Sequence, residues 1–263
     1  MKTFWAFARQ NFHATAVYRL DFWLRVASTP ILMYGTRWVW TTLYTQHPGA
    51  FAISLQQMVT YAVLAMAIEN LFYTGPLYYI AQQVKSGAID VDLLKPLDFH
   101  FHMLARSTGE MFFRIIVIAL PAMLVGYFLF DLQLPATLQT GSMFVVAFLL
   151  GYLVNFHLDF LLGTIATVTL DIHSIDWAFQ ATSRFFSGQF VPLWLFPGAL
   201  GIVANILPFR SIFSTPLSIY AGVLQEGTII QALGFQLLWL IILLMLSRWL
   251  WGRVQIRIVS QGG

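Results

Sequence analysis

The chain contains no cysteine, only three lysines, and few charged residues of either sign, which together make up 10% of its 263 positions. The absence of cysteine excludes disulfides, thiolate catalysis, iron–sulfur centres and cysteine zinc sites. The lysine of an ATPase phosphate-binding loop follows a glycine, and none of Lys2, Lys85 and Lys95 does. The chain therefore cannot hydrolyse ATP by that route.

Motifs for metal binding and hydrolysis are also missing. No His-Glu-x-x-His motif occurs, and the six histidines are scattered. His100 and His102 stand two positions apart near Asp98, but such a pair on a polar loop is typical of solvated side chains. The nucleophile motif Gly-x-Ser-x-Gly is absent as well. We therefore expect no catalytic residue, no metal site and no cofactor bound by this chain.

Hydrophobic residues are unusually abundant in the chain: they make up 59% of it, and its mean hydropathy is +0.73. A helix needs ~20 mostly apolar residues to cross ~30 Å of hydrocarbon. The six stretches that fit, two of them weakened by polar residues, are 22–44, 55–79, 112–130, 142–170, 172–191 and 229–251. The sequence thus predicts an all-α integral membrane protein with six transmembrane helices in a single domain, 1–263.

The basic residues orient these spans. With a cytoplasmic N terminus, ten of the fourteen lie at or near the inner face, Arg37, Arg114 and Arg184 lie within spans, and Arg210 alone falls in an outer loop. Both termini are then cytoplasmic, with a short tail at 252–263. Residues 1–20 carry the amphipathic pattern of an interfacial helix on the inner leaflet. Because basic residues near span ends record topology, we expect no nucleic-acid partner.

Residues 190–225 are apolar, but prolines interrupt them. Pro192, Pro197, Pro208 and Pro216 divide the segment into pieces shorter than ~11 residues, each too short to cross. One kinked span and a pair of short re-entrant helices both fit this pattern. The even span number required by the basic residues favours re-entrant extracellular helices before the last span.

A polar segment, residues 82–106, separates two apolar stretches and holds two of the three lysines and three carboxylates. In so apolar a chain, such a segment must lie in water. A short charged loop between spans is where a soluble partner can grip a membrane protein. The segment therefore predicts a docking surface on the cytoplasmic side.

Charged residues inside the spans are the second group of candidates. A rise of ~1.5 Å per residue places Glu69 and Arg114 at one depth, and Asp159 and Arg184 at another. We therefore expect two buried ion pairs, Glu69 with Arg114 and Asp159 with Arg184. We favour a structural role, in which the pairs hold helices together, over a gate that changes partner during transport. Arg37 has no partner at its depth and is expected to snorkel, line a cavity or meet another subunit.

The order of these parts resembles type-2 ATP-binding-cassette (ABC) exporter permeases, in the bacterial branch often encoded as two permeases with one ATPase. Gly87 followed by residues 92–98, DLLKPLD, is similar to the family's Gly…Leu-Leu-(Arg/Lys)-Pro-Leu loop. FSGQFVPL at 186–193, with the later FP, LPF and Pro216, is similar to the signature around the family's extracellular helices.

The resemblance implies that residues 82–106 form a cytoplasmic coupling loop that docks on a P-loop ATPase, present in two copies and carrying ATP and Mg²⁺. The implied docking residues are Gly87, Asp90, Asp92, Leu93, Leu94, Lys95, Pro96 and Asp98. It also implies a second permease, identical or paralogous, in a bacterial inner membrane.

The resemblance further implies outward transport of an amphipathic or hydrophobic substrate, such as a drug, lipid or peptide. The route would follow the second and fifth spans, and the candidate lining residues are Glu69, Phe72, Tyr73, Gln180, Arg184 and Gln189. An acidic Glu69 in this route would favour cationic cargo.

Two other functions stay open at this point. A proton-coupled secondary transporter would use Glu69 or Asp159 as a relay, although the chain lacks the internal repeat many such transporters carry. A membrane-embedded lipid-modifying enzyme would need acids near the inner face, for which Asp159, Asp171 and Asp176 are the candidates, without metal-binding spacing.

Overall fold

Helices are the only regular elements in the part of the chain that the structure describes. The structure is a computed structural model, and it describes residues 2–15, 19–72, 75–95, 97–169 and 172–257. Its α-helices are α1 Lys2–Thr15, α2 Arg19–Gln46, α3 Leu55–Ile68, α4 Pro76–Lys85, α5 Ile89–Leu93, α6 Phe99–Arg114, α7 Leu120–Leu129, α8 Leu138–Thr169, α9 Ile172–Phe186, α10 Gly198–Ile206, α11 Ser214–Tyr220 and α12 Glu226–Val254. The predicted all-α class is confirmed.

Among the residues that the structure describes, three helical segments are long and apolar enough to cross a membrane. They are Phe99–Leu129, Leu138–Thr167 and Glu226–Val254, and the first joins α6 to α7 through a π-helical turn at Ile115–Ala119. A bent pair, Gly198–Ile206 with Pro208–Tyr220, passes the same criterion together at an angle of 68°. The number of six spans and the re-entrant path of residues 190–225 stay predictions.

The second predicted span, residues 55–79, is interrupted. Helix α3 is followed by a 3₁₀ turn, Glu69–Phe72, and α4 starts only at Pro76. Gly75 adopts a positive φ of 80°, which costs glycine little, and Pro76 lacks the N–H that a continuous helix would use. The span therefore consists of two short helices and not of one.

The bent segment before the last span is fixed by α8 and α12. Gln236 Nε2 of α12 donates to the carbonyls of Ala147, at 3.0 Å, and Ser211, at 2.8 Å. Gly151 of α8 lets the Ser211 carbonyl approach, since a Cβ at that glycine would lie 2.4 Å from the oxygen. The broken backbone is thus satisfied by protein, as the hydrocarbon requires.

The amphipathic helix α1 lies against α6. Phe4 and Phe101 have ring centroids 5.0 Å apart, and a Cβ added to Gly109 would lie 2.0 Å from the Ala8 carbonyl oxygen. The glycine therefore permits a backbone-to-backbone contact that no other residue allows. The described part of the predicted interfacial segment 1–20 is helical on both sides of residues 16–18, which lie outside the description, as does residue 1.

We predict that Gly109→Ala lowers the thermal unfolding temperature of the detergent-solubilised chain, because the new methyl group forces α1 and α6 apart. Overpacking of this kind costs about 1–3 kcal/mol. The matched control is Gly234→Ala in α12, where an added Cβ meets nothing within 4 Å and better helix propensity is expected to leave stability equal or higher. Equal melting temperatures for the two variants would contradict the close α1–α6 contact.

Candidate functional site

A small polar cavity of about 50 Å³ lies beside the interruption of the second predicted span. This volume has room for a few water molecules. The side chains that surround it come from α2, the 3₁₀ turn, α8, α9 and the segment after α9: Arg25, Glu69, Asn70, Phe72, Asn155, Gln180, Ser183, Arg184, Gln189 and Phe213. Most of these side chains are charged or carry amides, in a chain with few such residues.

The cavity depends on local backbone geometry in two elements. The 3₁₀ turn directs Glu69, Asn70 and Phe72 to the cavity because the helix does not continue past them. On α9, Gln180 and Arg184 stand four residues apart and therefore share one face of the helix. The interrupted helix faces the polar side of α9 across the cavity.

Two hydrogen bonds satisfy backbone carbonyls freed by the interruption. Asn155 Nδ2 of α8 donates to the carbonyl of Phe72 at 2.7 Å, and Arg114 Nη1 donates to the carbonyl of Asn70 at 3.1 Å. Non-helical backbone at membrane depth is tolerated only when protein groups or water take over such bonds. Asn155 therefore helps to stabilise the interruption between α3 and α4.

The ion pairs at the cavity differ from the predicted ones. Arg184 Nη2 lies 3.4 Å from Glu69 Oε1, and Arg114 Nη2 lies 3.7 Å from Glu110 Oε2. The expected partners, Glu69 with Arg114 and Asp159 with Arg184, are thus corrected. Depth along straight helices could not give the right partners, because the interruption changes the direction in which the acid points.

Two further polar groups complete the lining. Arg25 of α2 donates through Nη1 to Asn70 Oδ1 at 3.2 Å. Gln189 is 2% exposed, and its Nε2 has no hydrogen-bond partner among the described residues. Since an unsatisfied buried amide costs free energy, a donor directed at a cavity is typical of a site that accepts water or a ligand.

Five of the six residues expected along a transport route line this one cavity: Glu69, Phe72, Gln180, Arg184 and Gln189. Tyr73 lies outside the described residues. Sequence reasoning missed Arg25, Asn70, Asn155, Ser183 and Phe213. Amides inside predicted spans are expensive in hydrocarbon, so the same criterion that selected the charged residues would have found Asn70 and Asn155.

The predicted coupling loop, residues 82–106, contains a short helix, α5, with one buried and one exposed side. Gly87 has a φ of 74° and turns the chain between α4 and α5. Ile89 is buried, whereas Val91 and Leu94 are 65% and 83% exposed, and Asp90 is exposed too. The loop therefore presents an apolar tip with a carboxylate beside it.

Asp92 faces the protein and not a partner, which corrects its expected role as a docking charge. It is 6% exposed, and it accepts hydrogen bonds of 2.6 Å from both Tyr79 Oη and Lys95 Nζ. The positive charge of Lys95 is therefore neutralised within the loop. Ile89 and Asp92 stand three residues apart and share the buried face of α5, which a list of charges cannot show.

The other expected docking residues have mixed positions. Asp98 caps α6 by accepting from the Phe101 N–H at 2.9 Å, and its carboxylate lies 3.7 Å from Arg248 of α12. Leu93 is partly exposed at the edge of the tip. Pro96 lies outside the described residues.

Two sequence expectations outside the cavity are also revised. Arg37 forms an ion pair with Asp131 after α7, so it has a partner within the chain. His100 and His102 are buried and not solvated, and His100 Nε2 lies 3.3 Å from Ser247 Oγ. No group of three or more metal-ligating side chains occurs among the described residues.

A comparison with protein families identifies the class. The family described as ABC-2 family transporter protein matches residues 30–262, which is most of the chain, and the chain therefore belongs to the ABC-2 transporter family. Neither the curated proteins nor the solved structures gave a match. Membership makes the chain a multi-pass membrane permease of the ABC type, whose ATPase is a separate subunit.

We predict that Asn155→Leu destabilises the chain by about 1–3 kcal/mol, because the buried Phe72 carbonyl loses its donor while side-chain volume is kept. The measurement is thermal unfolding in detergent. Asn205→Leu is the matched control, since Asn205 is exposed and its amide Nδ2 donates to the Gly201 carbonyl of its own helix. A loss of stability that is no larger at residue 155 than at residue 205 would refute the role of Asn155 at the interruption.

Proposed function

We propose that the chain is the transmembrane subunit of an ATP-driven exporter that moves an amphipathic or hydrophobic substrate outward. The observation that carries this proposal is the polar cavity between the interrupted second span and α9, within a member of the ABC-2 family. The proposed substrate is a drug-like molecule, a lipid or a peptide. Glu69, Phe72, Gln180, Arg184 and Gln189 are the residues assigned to the route.

A mechanical path between α5 and the cavity supports this proposal. Asp92 on α5 is bonded to Tyr79 on α4, and α4 begins directly after the interruption that forms the cavity wall. A displacement of α5 by a moving ATPase would therefore reach the cavity through one short helix. An interrupted helix can tilt at its break, whereas a continuous helix transmits only a rigid movement.

The amphipathic helix joins the same unit. Lys95 Nζ lies 5.8 Å from the centre of the Phe7 ring, and Phe7 packs on His102 with ring centroids 4.8 Å apart. Because α1 contacts both the loop and α6, it holds α5 in position against the bilayer surface. The assigned domain parts are the interfacial helix 1–20, the coupling loop 82–106, the extracellular re-entrant region 190–225 and the cytoplasmic tail 252–263.

The proposed assembly contains two permeases, identical or paralogous, and two P-loop ATPase subunits that bind ATP and Mg²⁺. The chain itself is assigned no enzymatic activity and no cofactor. Arg248 near the end of α12 contacts Asp98 at the start of α6, so the C-terminal end and the coupling loop lie on the same side. With the basic residues inside, both termini are cytoplasmic in a bacterial inner membrane.

The proton-relay alternative receives less support from the geometry. Glu69 Oε1 lies 3.4 Å from Arg184 Nη2, so this carboxylate already has a partner within the chain. A relay needs a carboxylate that is free to exchange a proton with the solvent or the substrate. The enzyme alternative needs clustered acids, and Asp171 lies outside the described residues.

We predict that Leu94→Asp abolishes co-purification of a P-loop ATPase with the permease, because it places a charge at the centre of the exposed apolar tip. Asp90→Lys is expected to weaken the complex about tenfold or more. The measurement is affinity purification from native membranes in mild detergent, followed by mass spectrometry.

Leu138→Asp is the matched control, since this leucine is 92% exposed at the start of α8, away from the coupling loop. It should leave ATPase recovery unchanged. Recovery of the ATPase with Leu94→Asp at the wild-type level, from a normally folded permease, would overturn the assignment of α5 as the docking element.

A further inference from the structure

A second and larger space lies next to the polar cavity, between α4 and α9. Its volume is about 530 Å³, within the ~300–1,000 Å³ range of sites for drug-sized molecules. The residues that line it are Tyr78, His173, Asp176, Trp177, Gln180, Ala181 and Arg184. We call this space the α4–α9 groove.

The groove contains a buried carboxylate without a cationic partner. Asp176 is 8% exposed and accepts hydrogen bonds from Tyr78 Oη at 2.8 Å and from Gln180 Nε2 at 3.4 Å. The ion pairs found among the described residues all involve other carboxylates. A buried negative charge held by neutral donors is costly, and a positive charge in the groove would relieve that cost.

Aromatic surfaces stand beside this carboxylate. Trp177 of α9 is 75% exposed, and the ring centroid of Tyr78 on α4 lies 6.2 Å from that of His173 on α9. Aromatic faces attract cations through their quadrupole, and they also cover apolar surface. A carboxylate with adjacent aromatic rings is therefore suited to an organic cation with an apolar body.

Arg184, at the other end of the groove, does not oppose the binding of a cation. Arg184 is directed to Glu69, at 3.4 Å, so its charge is balanced there. Gln180 and Arg184 line both the groove and the polar cavity. Asp176, Gln180 and Arg184 are four residues apart along α9, so one face of this helix connects the two spaces.

We propose that the α4–α9 groove binds lipophilic organic cations, with Asp176 facing the charge and with Trp177 and Tyr78 holding the apolar body. This inference rests on the proposed function, because it names the substrate class that would pass from the groove to the cavity. Anionic molecules such as phosphate-bearing lipids are excluded from the site, since Asp176 repels them. The acid that selects the cargo is thus Asp176 and not Glu69, which is occupied by Arg184.

The test measures binding of radiolabelled tetraphenylphosphonium to the full chain in lipid nanodiscs, with empty nanodiscs subtracted. Tetraphenylborate has the same shape and the opposite charge, so it separates charge recognition from apolar partitioning. We expect saturable binding of the cation and none of the anion. Asp176→Asn keeps the side-chain size and should raise the Kd about tenfold, and Trp177→Leu should raise it about threefold.

Glu226→Gln is the matched control, because Glu226 is an exposed carboxylate at the start of α12, and it should leave the Kd unchanged. Equal binding of both ions, no saturable binding, or an unchanged Kd for Asp176→Asn would overturn the proposal. If Asp176→Asn does not fold, Trp177→Leu decides the outcome, since its exposed side chain makes little contribution to folding.

The binding assay needs no ATPase, so the two proposals can fail separately. A chain that recruits an ATPase but does not bind tetraphenylphosphonium would overturn the cation site alone. A chain that binds the cation but recruits no ATPase would overturn the exporter assignment alone.

Discussion

The interruption between α3 and α4 must have its backbone groups satisfied inside the membrane, and the rest of the site depends on this constraint. Hydrocarbon offers no hydrogen-bond donor, so each freed carbonyl requires a donor from the protein or from water in a cavity. Asn155 and Arg114 supply two of these donors, from α8 and from the end of α6. The two helices that support the interruption are thereby fixed relative to it, and a polar cavity remains on its open side.

The same interruption connects the coupling loop to the cavity. A continuous helix over residues 55–79 would hold α4 rigidly to α3, whereas two short helices leave α4 attached mainly to α8 and, through Tyr79 and Asp92, to α5. The short helix that lines the α4–α9 groove is therefore also the helix that contacts α5 in the predicted coupling loop.

Polarity in the sequence was a good guide to which residues gather, and a poor guide to how they pair. Glu69, Gln180, Arg184 and Gln189 stand out because they are polar residues within predicted spans, and the structure brings them to one cavity. Asp92 stood out as a carboxylate in the polar segment 82–106, yet it points inward to Tyr79. Which residues form ion pairs, and which way a side chain points, depends on the rotation of each helix and on where a helix is interrupted. Residue type does not encode either.

By itself, the sequence determined the membrane class and the all-α fold, because apolar length and charge scarcity act locally along the chain. Only the tertiary structure decided that Glu69 belongs with Arg184, that Arg37 belongs with Asp131, and that Asp176 lies in the groove between α4 and α9. These contacts join segments about 90 residues or more apart, or depend on the space between two helices. Such proximity is set by packing, which no local pattern in the chain contains.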